Sequence, residues 1–395
     1  MRDWERALDP AVTMPGRTTA STMFATLFLP DRLIFCPHAC RLCRGLAPGL
    51  VSGETRLASD PSSVHCRNHL IAADSLGRLL IWAVDPLLDV SFWETRDKTT
   101  QPEPHLVHQL HNCAIYTMTL LGTDRLVTGG DDSMKVWRLP DLLQASTPEP
   151  LATVVQPQKQ LARGARGEIC EVNGLAVNKS HDTVYSAAGD GNGYAWDAAT
   201  LQLKRTLAGH SDYLHCVGCY GDHSVVTGGE DGQVLLWDAR GGQAEQLLQE
   251  RPGGAAPPPG KKAWIGALDV DQEGGWVAAG GGGNSLWLWH IASRRLVAAM
   301  PTCGAVQVVS FCADRILSAG AEPAIYQWSR SGKLVNRVPT SEPSTFALAH
   351  RPFSDASDSR ILVAGGSEPR IPLYYRAGLE LGFFLGTPRA SPAAR

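Results

Sequence analysis

The chain lacks several features that would have settled its class at once. None of its apolar runs approaches the roughly 20 residues that cross a bilayer, so no membrane partner is expected. No run of lysine and arginine stands out and the net charge is only −3, whereas strong nucleic-acid binding needs clustered cations to neutralise phosphates. The opening MRDWERALDP carries acids and no apolar core, unlike a secretory signal. Ten cysteines are scattered without the spacing of a secreted disulfide framework. A soluble protein of a reducing compartment is expected. Charged residues are few, at 19%, while hydrophobic residues reach 44%, enough for a sizeable core. The 40 glycines and 26 prolines fall below the level that signals disorder and fit a chain of many tight turns.

What the chain does have is repetition. One segment type recurs: an apolar strand, small residues, a polar turn, and a second apolar strand ending in an aromatic. The copies run HLIAADSLGRLLIW to Trp82, RLVTGGDDSMKVW to Trp137, TVYSAAGDGNGYAW to Trp196 and SVVTGGEDGQVLLW to Trp237. They continue as GWVAAGGGGNSLWLW to Trp289, RILSAGAEPAIYQW to Trp328 and RILVAGGSEPRIPLY to Tyr374. The intervals are 55, 59, 41, 52, 39 and 46 residues; the short ones match a propeller blade and the long ones carry insertions. Val225, Val226, Leu235 and Leu236 favour strands, and the Asp-Gly between them favours a tight hairpin. Gly228 and Gly229 leave room for a neighbouring blade, and the terminal Trp buries a large apolar area.

These copies resemble the WD40 family, and the resemblance implies an all-β, seven-bladed WD40 β-propeller of four strands per blade. The fourth copy is nearly complete, with Gly209-His210, Thr227, Asp231, Trp237 and Asp238. By resemblance His210, Thr227, Asp231 and Trp237 form a hydrogen-bonded structural tetrad inside the blade. The second copy keeps His111, Asp131 and Trp137; the third keeps Asp190, Trp196 and Asp197. The others are degenerate, with His290 after Trp289 and Ser329 after Trp328. The propeller is expected over 22–385, between flexible tails 1–21 and 386–395, with loop insertions at 36–66, 138–168 and 249–262. In such propellers the first segment often closes the ring; Thr22–Pro30 is the candidate, helped if the stretch near Leu379–Leu385 pairs with it.

Chemistry-bearing groupings are sparse. Cys36, Cys40, Cys43, Cys66 and His69 offer zinc donors, but their spacing is unfamiliar and a loop insertion is the stronger reading, so no metal site is assigned. Cys216 and Cys219 form a C-x-x-C inside an apparent strand, which favours core packing. The run Gly280–Gly283 leads into a strand rather than the helix a phosphate cradle needs, so no cofactor is expected. His and Asp recur in register with the blades and no serine or cysteine sits at a nucleophile turn, so the chain is not expected to be an enzyme. Candidate partner-binding residues are Tyr213, Trp264 and Glu171, which take one matching place in blades four, five and three on the rim where WD propellers dock partners; the alternative is that they pack under the adjacent loops. Arg240, in Trp237-Asp238-Ala239-Arg240, resembles the box by which some WD proteins dock onto a cullin-type ubiquitin ligase adaptor.

A closer resemblance spans roughly Leu106 to the C-terminus. GHSDYLHC, VTGGEDGQVLLWD, WIGALDV, AAGGGGNSLWLWH, ILSAGAEPAIYQW and SGKL, in that order, are similar to the family of the sixth subunit of the THO complex, from which residues 31–68 depart. That resemblance implies a nuclear scaffold with no activity of its own, contacting the coiled-coil THO subunits five and seven. It implies membership of the TREX assembly that couples transcription and splicing to messenger RNA export, with RNA engaged only indirectly. The alternative is the substrate receptor of a cullin-type ligase.

Overall fold

In a computed structural model the described residues are 23–29, 69–83, 101–157, 170–241, 244–246, 264–312, 314–350, 361–375 and 379–385. They form seven four-stranded antiparallel sheets, the blades of a β-propeller. Each blade is continuous in sequence: 23–109, 115–154, 172–208, 214–246, 265–301, 306–339 and 345–385. Among the described residues no helix is long and apolar enough to cross a membrane. The single described helix is the one-turn segment Leu139–Leu142, which together with the outer strand Ala152–Val154 occupies part of the 138–168 insertion. The tails 1–21 and 386–395 and the insertions 36–66 and 249–262 lie outside the described residues.

Small residues set the distance between blades. A Cβ on Gly129 would meet Val172 of the next blade at 2.5 Å, one on Gly228 would meet Ile265 at 2.5 Å, and one on Gly280 would meet Val306 at 2.9 Å. The same register position in three blades therefore receives the first residue of the next inner strand. Turns use the conformational freedom of glycine where the chain demands it: Gly232, after Asp231, has φ +76, a region open to glycine at no steric cost.

The core lies between blades. Trp237 packs with Tyr185, Leu207 and Leu214, residues of blades three and four. Trp289 packs with Val226 and Leu236 of blade four, and Trp328 with Leu286 and Leu288 of blade five. Each terminal aromatic thus leans back onto the preceding blade, contributing roughly 4–6 kcal/mol of gross transfer free energy for some 200 Å² buried. Trp82 obeys the same rule around the ring, meeting Phe384 of blade seven at 5.6 Å between ring centroids.

Ring closure differs from the sequence expectation. Met23–Leu29 is the inner strand of blade one and pairs with His69–Asp74, Leu27 opposite Ile71. Leu379–Leu385 is the outer strand of blade seven and pairs with Arg370–Tyr375. The two segments do not pair. Blade seven already holds four strands of its own, and an inner strand lies some three strand spacings, roughly 14 Å, from an outer one. The seam between blades seven and one is held by the Trp82–Phe384 contact and by Leu385 N–H donating to Pro102 O at 3.1 Å.

The inner strands expose edges to the central channel, and side chains of adjacent blades meet them. Asn173 Nδ2 donates to Leu214 O at 2.9 Å. Asp269 accepts from Phe311 N at 2.7 Å, while His350 Nε2 donates to Phe311 O at 3.0 Å. Burial pushes the Asp269 carboxyl up to about 6.

Candidate functional site

The polar residues singled out in the fourth copy converge inside blade four. Trp237 Nε1 donates to Thr227 Oγ1 at 2.8 Å, and that hydroxyl lies 2.8 Å from His210 Nε2. His210 Nδ1 lies 2.9 Å from Asp231 Oδ2. For a neutral imidazole the direction follows from the partners. The indole can only donate and the ionised carboxylate only accept, so His210 carries its proton on Nδ1 and takes the Thr227 hydroxyl proton on Nε2. Burial opposes ionisation of Asp231, yet the bonds from His210 and from the Gln233 and Ser211 amides hold its carboxyl below the usual range.

Blade two repeats this chain with one correction. His111 Nε2 lies 2.8 Å from Thr128 Oγ1, which accepts from Trp137 Nε1 at 2.9 Å. The acid on His111 Nδ1 is Asp132, at 3.0 Å, not Asp131. In both blades the acid follows the hydroxyl residue by four positions; Asp131 matches Glu230 instead and accepts from Tyr116. Burial lowers the His111 pKa, only partly offset by Asp132, which favours the neutral ring.

Blades three and six use substitutes that sequence reasoning missed. Trp196 donates to Ser186 Oγ at 2.9 Å, and Gln156 Nε2 fills the histidine's place on the same oxygen at 2.9 Å. Asp190 accepts from the Tyr194 hydroxyl at 2.6 Å. In blade six Trp328 donates to Ser318 Oγ at 2.9 Å, and Glu322 accepts from Tyr326 at 2.7 Å and from Gly304 N at 2.9 Å. The available signal was a Ser or Thr nine or ten residues before each of these tryptophans. Blades one, five and seven place Ala72, Ala279 and Ala364 there.

At the rim, Glu171, Tyr213 and Trp264 occupy one equivalent position. Their carbonyls accept from Gly189, Glu230 and Gly282 N–H respectively, at 3.2, 2.8 and 2.9 Å. Tyr213 is not an open docking residue: it is 5% exposed, and its hydroxyl donates to Asn173 Oδ1 at 3.1 Å. Blade three covers it, which the local sequence does not show. Glu171 and Trp264 are half-buried. His215 bridges the aromatics, 5.0 Å from the Tyr213 ring and 6.0 Å from that of Trp264, with Nε2 3.4 Å from Glu230 Oε1. His215, Glu230, Tyr116 and Asp131 therefore join this rim beyond the residues picked from sequence. Arg240 is exposed and forms a fork with Asp238 of its own turn, at 3.0 and 2.8 Å.

The remaining motifs resolve locally. Cys216 and Cys219 are buried on the inner strand Leu214–Tyr220, and burial pushes the Cys216 thiol up to about 12. Gly280 and Gly281 end the strand Trp276–Gly281, and the turn leads into Ser285–His290. Cys36, Cys40, Cys43 and Cys66 lie outside the described residues, while His69 is buried in blade one.

Seven blades, two of them carrying a complete aromatic–hydroxyl–imidazole–carboxylate chain and two a variant of it, define a WD-repeat β-propeller. The WD domain, G-beta repeat family model matches residues 201–238, the stretch holding the whole of that chain in blade four. The protein is 30% identical over 315 residues to THO complex subunit 6 of Homo sapiens, covering 79% of this chain and 88% of that one. It is 27% identical over 310 residues to THO complex subunit 6 of Arabidopsis thaliana, covering 74% and 82%. The chain belongs to the THO complex subunit 6 family.

Proposed function

We propose that this protein is a non-catalytic scaffold subunit of a THO-type complex in the nucleus, supporting the coupling of transcription and splicing to messenger RNA export. The observation that carries the reading is similarity to THO subunits over 79% of the chain. The geometry agrees with it. The histidines and acids that could suggest catalysis are spent inside blades: His111 and His210 are each held between a buried threonine and a carboxylate. The rigid ring leaves its rim and outer faces for other chains. Glu171 and Trp264, half-buried beside His215, are the residues we assign to the partner-facing rim, with the coiled-coil THO subunits five and seven as the occupants. RNA is engaged through those partners.

Affinity purification of the tagged chain from nuclei tests this. Co-recovery of the other THO subunits is expected, with a Trp264→Ala, Glu171→Ala variant recovering less at unchanged melting temperature. Recovery of no THO subunit by the wild-type chain would overturn the reading.

A further inference from the structure

Blades two and four share the tryptophan–threonine–histidine–aspartate chain but differ at its open end. In blade four the Asp231 side chain is 4% exposed. Two residues after His210 stands Asp212, whose carboxylate accepts from Tyr213 N at 2.9 Å. In blade two the corresponding acid, Asp132, has a side chain 41% exposed, and two residues after His111 stands Cys113. His111 Nδ1, Cys113 Sγ and an Asp132 oxygen all lie within 4.8 Å of one another, the one such trio of His, Cys, Asp or Glu among the described residues. Cys113 is half-buried, and its thiol bonds to the same carboxylate that His111 touches.

The three donors have the chemistry of a borderline transition ion. Zinc takes thiolate, imidazole and carboxylate ligands at about 2.0–2.3 Å, and a thiolate with an imidazole discriminates against calcium and magnesium, which prefer oxygen. The histidine is also anchored from behind. Its Nε2 lies 2.8 Å from Thr128 Oγ1, which is itself held by Trp137. A ligating histidine characteristically has its second nitrogen fixed in this way.

We propose that His111, Cys113 and Asp132 form a binding site for a divalent transition-metal ion, zinc foremost, with the remaining coordination position open on the exposed side of Asp132. On binding, Cys113 gives up its thiol proton. The His111 proton moves from Nδ1 to Nε2, which then donates to Thr128 Oγ1 while the threonine hydroxyl hydrogen rotates away from the ring, leaving the Nδ1 lone pair for the ion. The ion ties the segment entering the inner strand of blade two, at 111–113, to the turn that follows Gly130. The site does not depend on the THO assignment.

Zinc chloride added to the full-length protein gives a direct test, read as the rate at which iodoacetamide alkylates Cys113 in the wild-type chain, by peptide mass spectrometry. With free zinc held about tenfold above its dissociation constant, protection of about tenfold is expected by mass action, reversed by EDTA. The other cysteines are separated from this site by cobalt titration: Cys113→Ala should bind one equivalent fewer than wild type, and Asp132→Asn should weaken that equivalent about tenfold or more. Alkylation of Cys113 unchanged by excess zinc, or full cobalt stoichiometry in Cys113→Ala, would overturn the proposal.

Discussion

Blades two, three, four and six place a hydroxyl under their terminal tryptophan, whereas blades one, five and seven place alanine there. Both groups bury the aromatic equally well: Trp237 and Trp82 are each 1% exposed, as is Tyr374. The aromatic is therefore the common element of blade packing, and the polar chain is an addition that fixes the turn above it. In blades one and seven, which lack it, the aromatic's own polar atom is left over. Among the described residues Trp82 Nε1, Tyr374 Oη and Glu342 Oε1 are buried without a hydrogen-bond partner.

This contrast can be broken from either side. The largest effect is expected where a complete chain is cut. Asp231→Ala leaves the His210 Nδ1–H without its acceptor and should cost about 1–3 kcal/mol, read as a lower denaturation midpoint. A midpoint equal to wild type would mean that the chain adds nothing to the aromatic. An intermediate effect is expected from Glu342 in blade seven, whose carboxyl burial pushes up to about 7 from an ordinary value near 4.5. The folded state then binds more protons than the unfolded state between these values, so this group makes stability fall as pH rises from about 4.5 through about 7, and its contribution levels off above that. Glu342→Gln should raise the melting temperature at pH 8 and flatten its decline between pH 5 and 8; an unchanged slope would rule out this residue as the source. The smallest effect is a gain. Ala72→Ser places a hydroxyl ten residues before Trp82, where blades three, four and six hold theirs, and should stabilise by about 0.5–1.5 kcal/mol. Destabilisation would show that blade one is packed too tightly to accept the oxygen.

The ring and its seven blades were legible because one cause produced the signal: each blade must bury one large aromatic against its neighbour, so the aromatic recurs. The polar chain of blade four was legible for the same reason of spacing. Blade two misled because two adjacent aspartates compete for one role, and only the four-residue offset from Thr128 selects Asp132. Gln156 could not be found from its own repeat, since it lies 30 residues before Ser186 and reaches it only through the fold. Tyr213 was illegible for a related reason. Its burial depends on Asn173 and Gly189 of the preceding blade, not on the residues beside it. Ring closure was misjudged because pairing of the two end segments is one of two ways to seal a propeller, and strand propensity is the same for both.

The absence of strand exchange at the seam bears on how the molecule is made. Every blade is a contiguous stretch of chain, and its aromatic leans back on the blade before it. As a nascent polypeptide leaves the ribosome, each newly finished sheet finds its docking surface already present, and accretion can run from the amino end without waiting for a distant segment. Only the seam, where Met23–Leu29 lies against Thr345–His350, Trp82 meets Phe384 and Leu385 bonds to Pro102, requires synthesis to have reached the seventh unit.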